Sequence, residues 1–288
     1  MREIIVITGP TGIGKTDLSI KIAKSNGFEI ISADSRQVYK YMDIGTGKIT
    51  PEEMNGVKHH LIDIVLPNED YNAASFSKDA EAIINEKTNI IVVGGTHFYI
   101  QALLENFVKA PKGDAEIIDA LTHEYKTSPE KVYAELVKED PEVTEKIHKN
   151  DEYRIIRALS VIRTTGKKYS SFKKETIERK YKPKYYILGM DRALLYTRIN
   201  ARVDKMIELG LFNEVEKILN LGFDKNLKSL NTLGYKEVIA FLNSDISKNS
   251  AIEKIKKETR NYAKRQLTWL RNLKVDFLDH AKILKLLT

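Results

Sequence analysis

The chain contains no cysteine, one tryptophan and seven prolines among its 288 residues. Without thiols, disulfide scaffolds, thiol nucleophiles and cysteine-bound zinc are excluded. No apolar run approaches the ~20 residues that a bilayer-spanning helix requires. The N-terminus opens on Met1-Arg2-Glu3 with too short an apolar stretch behind it for a secretory leader. A cytoplasmic protein with no membrane partner is the expectation. No internal repeat or low-complexity segment is present. Hydrophobic residues make up 42% of the chain, enough for a sizeable core. Lys and Arg outnumber Asp and Glu 47 to 40, a net charge of +7, which suggests an acidic partner without naming it. The excess is unevenly placed. Residues 1–110 hold 11 basic and 14 acidic side chains, residues 148–184 hold 12 and 4, and residues 251–274 hold 8 and 2.

The first third alternates between strand and helix. Residues 4–7, 28–32 and 89–93 are short β-branched runs, the first and third closed by glycine, as buried parallel strands should be. Residues 17–25 and 73–86 carry helical spacing. This alternation predicts an α/β fold with a parallel sheet. From residue 110 the character changes, with helices expected over 115–125, 129–138, 141–148 and 153–163. The α/β pattern resumes with a strand at 185–189, helices at 194–209, 212–219, 235–242 and 251–273, and a last strand at 275–278. The organisation expected is a discontinuous core, residues 1–110 and 183–288, interrupted by a helical insertion at 111–182.

Gly9-Pro10-Thr11-Gly12-Ile13-Gly14-Lys15-Thr16 matches G-x-x-x-x-G-K-[ST] between a strand and a helix, the context a phosphate-binding loop requires. Its N–H groups would cradle a polyphosphate at a helix N-terminus, with Lys15 bridging phosphates and Thr16 ligating Mg²⁺. A nucleoside triphosphatase usually adds an apolar strand ending in Asp. Here the third strand ends in Gly94-Gly95, and the second ends at Asp34. The loop therefore suits a diphosphate that departs as a leaving group.

Further residues resemble the tRNA dimethylallyltransferase (tRNA isopentenyltransferase) family of bacterial type. They are Asp34-Ser35-Arg36-Gln37 with Tyr39, Met42 to Lys48 (MDIGTGK), His59-His60-Leu61-Ile62-Asp63, and Gly94-Gly95-Thr96 with Tyr99. In the second half they are Asp191-Arg192, Arg198-Ile199 with Arg202, Leu233-Gly234-Tyr235, and Lys264-Arg265-Gln266 with Thr268-Trp269. Where the family usually has Gly and an apolar residue after Gly-Gly-Thr, this chain has His97-Phe98. The resemblance implies a P-loop nucleoside-triphosphatase-like sheet core and transfer of a dimethylallyl group from its diphosphate to N6 of adenosine 37 in tRNA. It also implies Mg²⁺ as cofactor and a monomer.

On that reading Lys15, Asp34, Thr96 and Arg202 are the catalytic candidates. Asp34 would accept the proton of the attacking amine; a Mg²⁺-shell or helix-capping carboxylate is the other reading. Thr96 resembles the family's channel threonine, and a helix N-cap explains it nearly as well from the sequence. Arg202, with Arg198 one turn earlier, would reach the pyrophosphate, or the two would form a solvent-facing pair. Asp34, Ser35, Arg36, Gln37 and Thr96 would hold the flipped base, and Tyr153, Arg154, Arg157 and Arg265 on the basic stretches would hold the rest of the tRNA. A basic helix alone is more often a solvated face. Two other classes stand beside this one: a P-loop small-molecule kinase and a non-catalytic RNA-binding P-loop protein.

Overall fold

The computed structural model describes residues 1–105, 110–173 and 180–288. The chain forms two compact units, one of Met1–Glu105 with Arg179–Thr288 and one of Asn106–Glu178. In chain order the first unit begins with β1 (Arg2–Thr8), α1 (Lys15–Asn26), β2 (Glu29–Ser32), α2 (Pro51–Met54), β3 (His59–His60), α3 (Ala73–Glu86), β4 (Ile90–Gly94) and α4 (His97–Leu104). The second unit contains α5 (Ala115–Thr127), α6 (Pro129–Glu139), α7 (Pro141–Thr144), α8 (Glu152–Thr165) and a 3₁₀ turn at Tyr169–Lys173. The first unit resumes with β5 (Tyr181–Leu188), α9 (Arg192–Glu208), α10 (Leu211–Asn220), α11 (Tyr235–Leu242), α12 (Lys248–Arg271), β6 (Phe277–Leu278) and α13 (His280–Leu287).

The strands make one six-stranded sheet in the order β3-β2-β4-β1-β5-β6, with every pairing parallel. This is the α/β core that the alternating pattern predicts. All five residues of β4 are buried, which explains its unbroken apolar run: a central parallel strand is covered on both faces. Thr8 pairs with Gly94 and Ser32 with Val93. The carboxyl ends of β1, β4 and β2 therefore finish level, and the segments that follow them share one edge, where open α/β sheets bind ligands.

Leu18 and Ile22 of α1, Leu195 and Ile199 of α9 and Ile283 of α13 pack against Ile7, Ile91 and Leu188 of the sheet. Fully burying a side chain of this kind contributes ~1.5–3 kcal/mol. A further cluster joins Val38 and Met42 to Val203, Leu211, Val215, Tyr235 and Ile255. The second unit has its own core, with Leu121, Val132, Leu136, Val143, Ile155 and Leu159 among its members.

Several elements differ from the sequence reading. β5 begins at Tyr181, four residues early, because its whole length pairs with β1 from Arg2↔Tyr181 to Thr8↔Ile187. Pro183 and two lysines hide that strand, and its start at residue 181 places the upper bound of the insertion below 182. The helix expected over 141–148 stops at Thr144. The apolar segment at α4 has no clear period because most of it is buried all round, so the sequence pattern predicts no helix there, and none at α13.

Candidate active site

Gly12 and Gly14 adopt left-handed φ values of 77° and 98°, which allow the loop after β1 to curl back over the start of α1. Gly14 is itself the N-cap of that helix, so no capping side chain competes for the first-turn N–H groups. These donors and the positive end of the helix form an anion site. The Lys15 ammonium donates to the carbonyls of Gly9 and Pro10, both at 3.0 Å, which keeps it folded over the loop. Burial pushes Lys15 down to about 8, with Asp34 opposing that shift and Arg202 adding to it. The three side chains thus sit close enough to sense one another.

A cavity of about 50 Å³ opens beside the loop, lined by Lys15, Thr16, Ser19, Asp34 and Gln37 among its polar residues and by Ile30, Ile49 and Ile62. Asp34 follows β2, and its Oδ1 accepts the Arg36 N–H at 2.8 Å and the Gln37 N–H at 3.3 Å. Both donors use one oxygen, so Oδ2 has no hydrogen-bond partner among the described residues. Asp34 therefore caps its own turn and retains a free acceptor. The Ser35 N–H donates to Thr96 Oγ1 at 3.0 Å. Thr96 is the N-cap of α4, but its side chain makes no cap bond. The plain capping explanation for Thr96 does not hold; its hydroxyl joins the ends of β2 and β4 instead. Gly94 makes that junction possible, since a Cβ there would lie 2.1 Å from the Ala33 carbonyl oxygen. This close approach is a physical reason for the strand to end in glycine and not in the acid of a triphosphatase.

Arg198 and Arg202 occupy one face of α9. Arg198 Nε donates to the Gly12 carbonyl at 3.2 Å, and Arg202 Nη2 donates to the Thr46 carbonyl at 3.3 Å. Burial lowers the Arg202 pKa, with Asp34 opposing that effect; Arg202 is part-buried, whereas Arg198 stays exposed to solvent beside the loop. The loop that receives Arg202 is held from beneath by Glu214, which is 9% exposed. Its carboxylate accepts the N–H groups of Asp43, Ile44 and Gly45 at 3.0, 2.6 and 3.0 Å and the Tyr235 hydroxyl at 2.6 Å. Lys48 fastens the end of the same loop to Asp43 and Asp63. Gln37 Nε2 donates to the Gly47 carbonyl at 3.2 Å, so its amide is committed within the protein.

Gly47 has a left-handed φ of 57°, and a Cβ there would lie 1.9 Å from Arg202 Nη2. The atom displaced is the end of a flexible side chain, so Gly47→Ala should disturb the site more than the fold. The expected result is a ~10-fold weaker affinity for inorganic pyrophosphate, equivalent to about 1.4 kcal/mol, beside the ~1–2 kcal/mol strain of a left-handed alanine. A pyrophosphate titration with a thermal melt checks it; an unchanged affinity would separate Arg202 from the anion site.

The basic side chains are unequal. Tyr153 on α8 is 78% exposed, Arg154 faces Asp151 at 3.5 Å, and Arg157 donates to the Ala110 carbonyl at 3.0 Å. Arg163 is tied up between Glu124 and Glu135. Lys167 and Lys168 are exposed, while Lys174 lies outside the described residues. On α12, Arg260 turns inward to Asn200, whereas Arg265 lies over the Tyr262 ring at 5.7 Å. Asn261, Lys264, Arg265, Thr268, Trp269 and Asn272 line an open groove of about 440 Å³.

Two anchors escaped the sequence reading. Glu214 looks like an ordinary helix-surface acid, and Gln266 is one residue of the Lys264-Arg265-Gln266 motif with no role of its own legible in the sequence. Both bond to distant backbone groups, for which a sequence offers no direct signal. For Mg²⁺, the exposed Thr16 hydroxyl and the free Asp34 Oδ2 border one cavity, and oxygen donors suit that ion. Among the described residues no group of three or more His, Cys, Asp or Glu forms a metal cage. These oxygens would fit an ion that takes its remaining ligands from water or a bound phosphate.

A model of the family described as IPP transferase matches residues 37–273. The chain is 46% identical over 296 residues to a tRNA dimethylallyltransferase of Caldanaerobacter subterraneus subsp. tengcongensis, covering 97% of this chain and 93% of that one. A tRNA dimethylallyltransferase of Carboxydothermus hydrogenoformans is likewise 46% identical, over 98% and 93%. Among solved structures, the tRNA isopentenylpyrophosphate transferase of Bacillus halodurans aligns with a TM-score of 0.73 at 37% identity, covering 100% of this chain and 95% of that one. A eukaryotic dimethylallyltransferase described as acting on tRNA aligns with a TM-score of 0.82 at 32% identity, over 97% and 74%.

Proposed function

The chain belongs to the IPP transferase family, and from that premise we propose that it transfers a dimethylallyl group from dimethylallyl diphosphate to N6 of adenosine 37 in tRNA. Pyrophosphate is the other product. The observation that carries the chemical reading is the meeting of Lys15, Thr16 and Asp34 around one cavity. The kinase and RNA-binding alternatives are not favoured by the family membership.

In the reaction the allylic C1–O bond breaks and its electron pair leaves with pyrophosphate, while the N6 lone pair forms the new C–N bond. An allylic carbon tolerates a partly cationic transition state, so stabilising the leaving group matters most. The loop N–H groups, Lys15 and Arg202 neutralise the charge that develops there. Thr16 would help hold Mg²⁺, which when bound would supply further neutralisation of the diphosphate charge. The adenine amine is a weak nucleophile because its lone pair is delocalised into the ring. Asp34 Oδ2 accepts the N6 proton as the bond forms, a role worth ~10²–10⁴-fold. Thr96 and Ser35 fix the wall beside that carboxylate.

The target base leaves its loop stack to enter the site, at a cost of a few kcal/mol or less in an anticodon loop. Ser35, Arg36 and Gln37 border the flipped base; Gln37 acts chiefly by holding the wall, given its bond to Gly47. Arg265 on α12 and Tyr153, Arg154 and Arg157 on α8 form contacts to the rest of the RNA. The enzyme works as a cytoplasmic monomer. No helix among the described residues is long and apolar enough to cross a membrane. Incubation with labelled dimethylallyl diphosphate, Mg²⁺ and unmodified tRNA bearing A36-A37-A38 tests the reading. Absence of label in the RNA sinks it.

The Lys15 ammonium gives a pH signature. Its pKa in the free protein is about 8, so the cation is present below that pH and is lost above it. KM for dimethylallyl diphosphate should be flat below pH 8 and rise ~10-fold per unit above it, until the pKa of the bound form is reached. A profile flat to pH 10 contradicts a direct Lys15–phosphate contact.

A further inference from the structure

Gln266 lies on α12 and is 5% exposed. Its Oε1 accepts the Thr11 N–H at 2.8 Å, and its Nε2 donates to the Gly95 carbonyl at 2.9 Å. Thr11 belongs to the diphosphate loop, and Gly95 immediately precedes Thr96 on the opposite wall. A single primary amide thus joins the backbones of the two halves of the site. A Cβ on Gly95 would lie 2.5 Å from Gln266 Nε2 and 3.5 Å from Lys15 Nζ, so the amide and the loop lysine approach the same point. One turn further along α12, Trp269 stacks on His97 with ring centroids 4.2 Å apart and planes 12° from parallel. The helix therefore grips the residues on both sides of Thr96.

We propose that Gln266 is a positioning residue for the transfer, setting the separation between the diphosphate loop and the Thr96 wall. This rests on the transferase reading above. Gln266 acts through backbone, because its Oε1 engages the Thr11 N–H and its Nε2 engages Gly95. The amide has the one composition that fits: an acceptor for an N–H and a donor for a carbonyl on one planar group. Glutamate keeps the acceptor but turns lone pairs toward the Gly95 oxygen. Methionine fills similar space and bonds to neither backbone. Transfer between two bound substrates needs reacting atoms ~3–3.5 Å apart, and a displacement of ~1 Å costs on the order of 10²-fold in rate.

The test uses the full chain as wild type, Gln266→Met and Gln266→Glu. Four quantities are measured: single-turnover transfer to unmodified tRNA at saturating dimethylallyl diphosphate, tRNA affinity, melting temperature, and hydrogen exchange of the Thr11 amide. Gln266→Met should slow transfer by ~10²-fold, speed Thr11 exchange, and leave tRNA affinity nearly unchanged. Gln266→Glu should keep Thr11 protected yet still slow transfer, because the Gly95 side is untied. A general loss of folding would instead depress tRNA affinity and melting temperature together, and should Gln266→Met fail to fold, the isosteric Gln266→Glu decides. Transfer at the wild-type rate in a folded Gln266→Glu protein overturns the inference, while failure of the wild type to transfer label overturns the function beneath it.

Discussion

Asp34→Asn should reduce the single-turnover transfer rate by ~10²–10⁴-fold, the range a positioned proton acceptor contributes, and leave tRNA affinity within a few-fold. Asparagine is nearly isosteric, and its amide oxygen can still accept the Arg36 and Gln37 N–H groups that bind Oδ1. The turn after β2 should therefore survive. What disappears is the second carboxylate oxygen, which becomes an NH₂ group unable to take a proton from N6. A second consequence is electrostatic. Asp34 opposes the burial that lowers Lys15, so its removal lets the Lys15 pKa fall further. The alkaline rise in KM for dimethylallyl diphosphate should then begin at lower pH than in the wild type. Both effects are read from one set of pH-dependent single-turnover curves. A collapse of tRNA affinity with an unchanged chemical step would make Asp34 a binding residue instead.

The P-loop was legible in the sequence for a local reason. A phosphate-binding loop is a contiguous motif set between an apolar run and a helix, and its meaning survives without knowledge of the fold. The central strands were legible too, since β4 is buried along its full length and is uniformly apolar. β5 was legible only in its second half. Its first residues, Tyr181 to Lys184, alternate with lysine and include Pro183, yet pairing with Arg2 to Ile5 of β1 holds them in the sheet. Tertiary pairing outweighs propensity there.

The site's supports were hidden for a different reason. From the sequence a helix cap explains Thr96 nearly as well as the channel threonine that the resemblance implies, and only the fold shows its hydroxyl receiving the Ser35 amide from across the sheet edge. Gln266 reads as one polar residue on a basic helix, and its partners are backbone groups 255 and 171 positions away. Any sequence supplies a backbone N–H or carbonyl at those places. No residue type advertises which side chain will claim it.

Glu214 is the extreme instance of such a support, and Glu214→Ala should be among the most damaging substitutions in the chain. The carboxylate satisfies three successive backbone N–H groups, of Asp43, Ile44 and Gly45, and the Tyr235 hydroxyl. Burial holds the Tyr235 phenol well above its usual pKa, so it stays neutral and remains a donor. Truncation leaves four donors without their acceptor in a site only 9% exposed. At ~1–3 kcal/mol for each unsatisfied buried group, and with water replacing part of the loss, a destabilisation of ~4 kcal/mol or more is expected. For a unit of this size that corresponds to a fall in Tm of roughly 8–16 °C. The functional effect follows from the same geometry, because the released loop carries the Thr46 carbonyl that receives Arg202 and the Gly47 carbonyl that receives Gln37. KM for dimethylallyl diphosphate should rise even at temperatures where the variant remains folded. Glu214→Gln separates the two consequences: one oxygen remains to accept, while the new NH₂ faces N–H donors, so stability should fall by an intermediate amount. Thermal melts of the three proteins, with KM measured well below each midpoint, check the argument. A Glu214→Ala protein that melts within 2 °C of wild type would show that the loop holds its shape without its anchor.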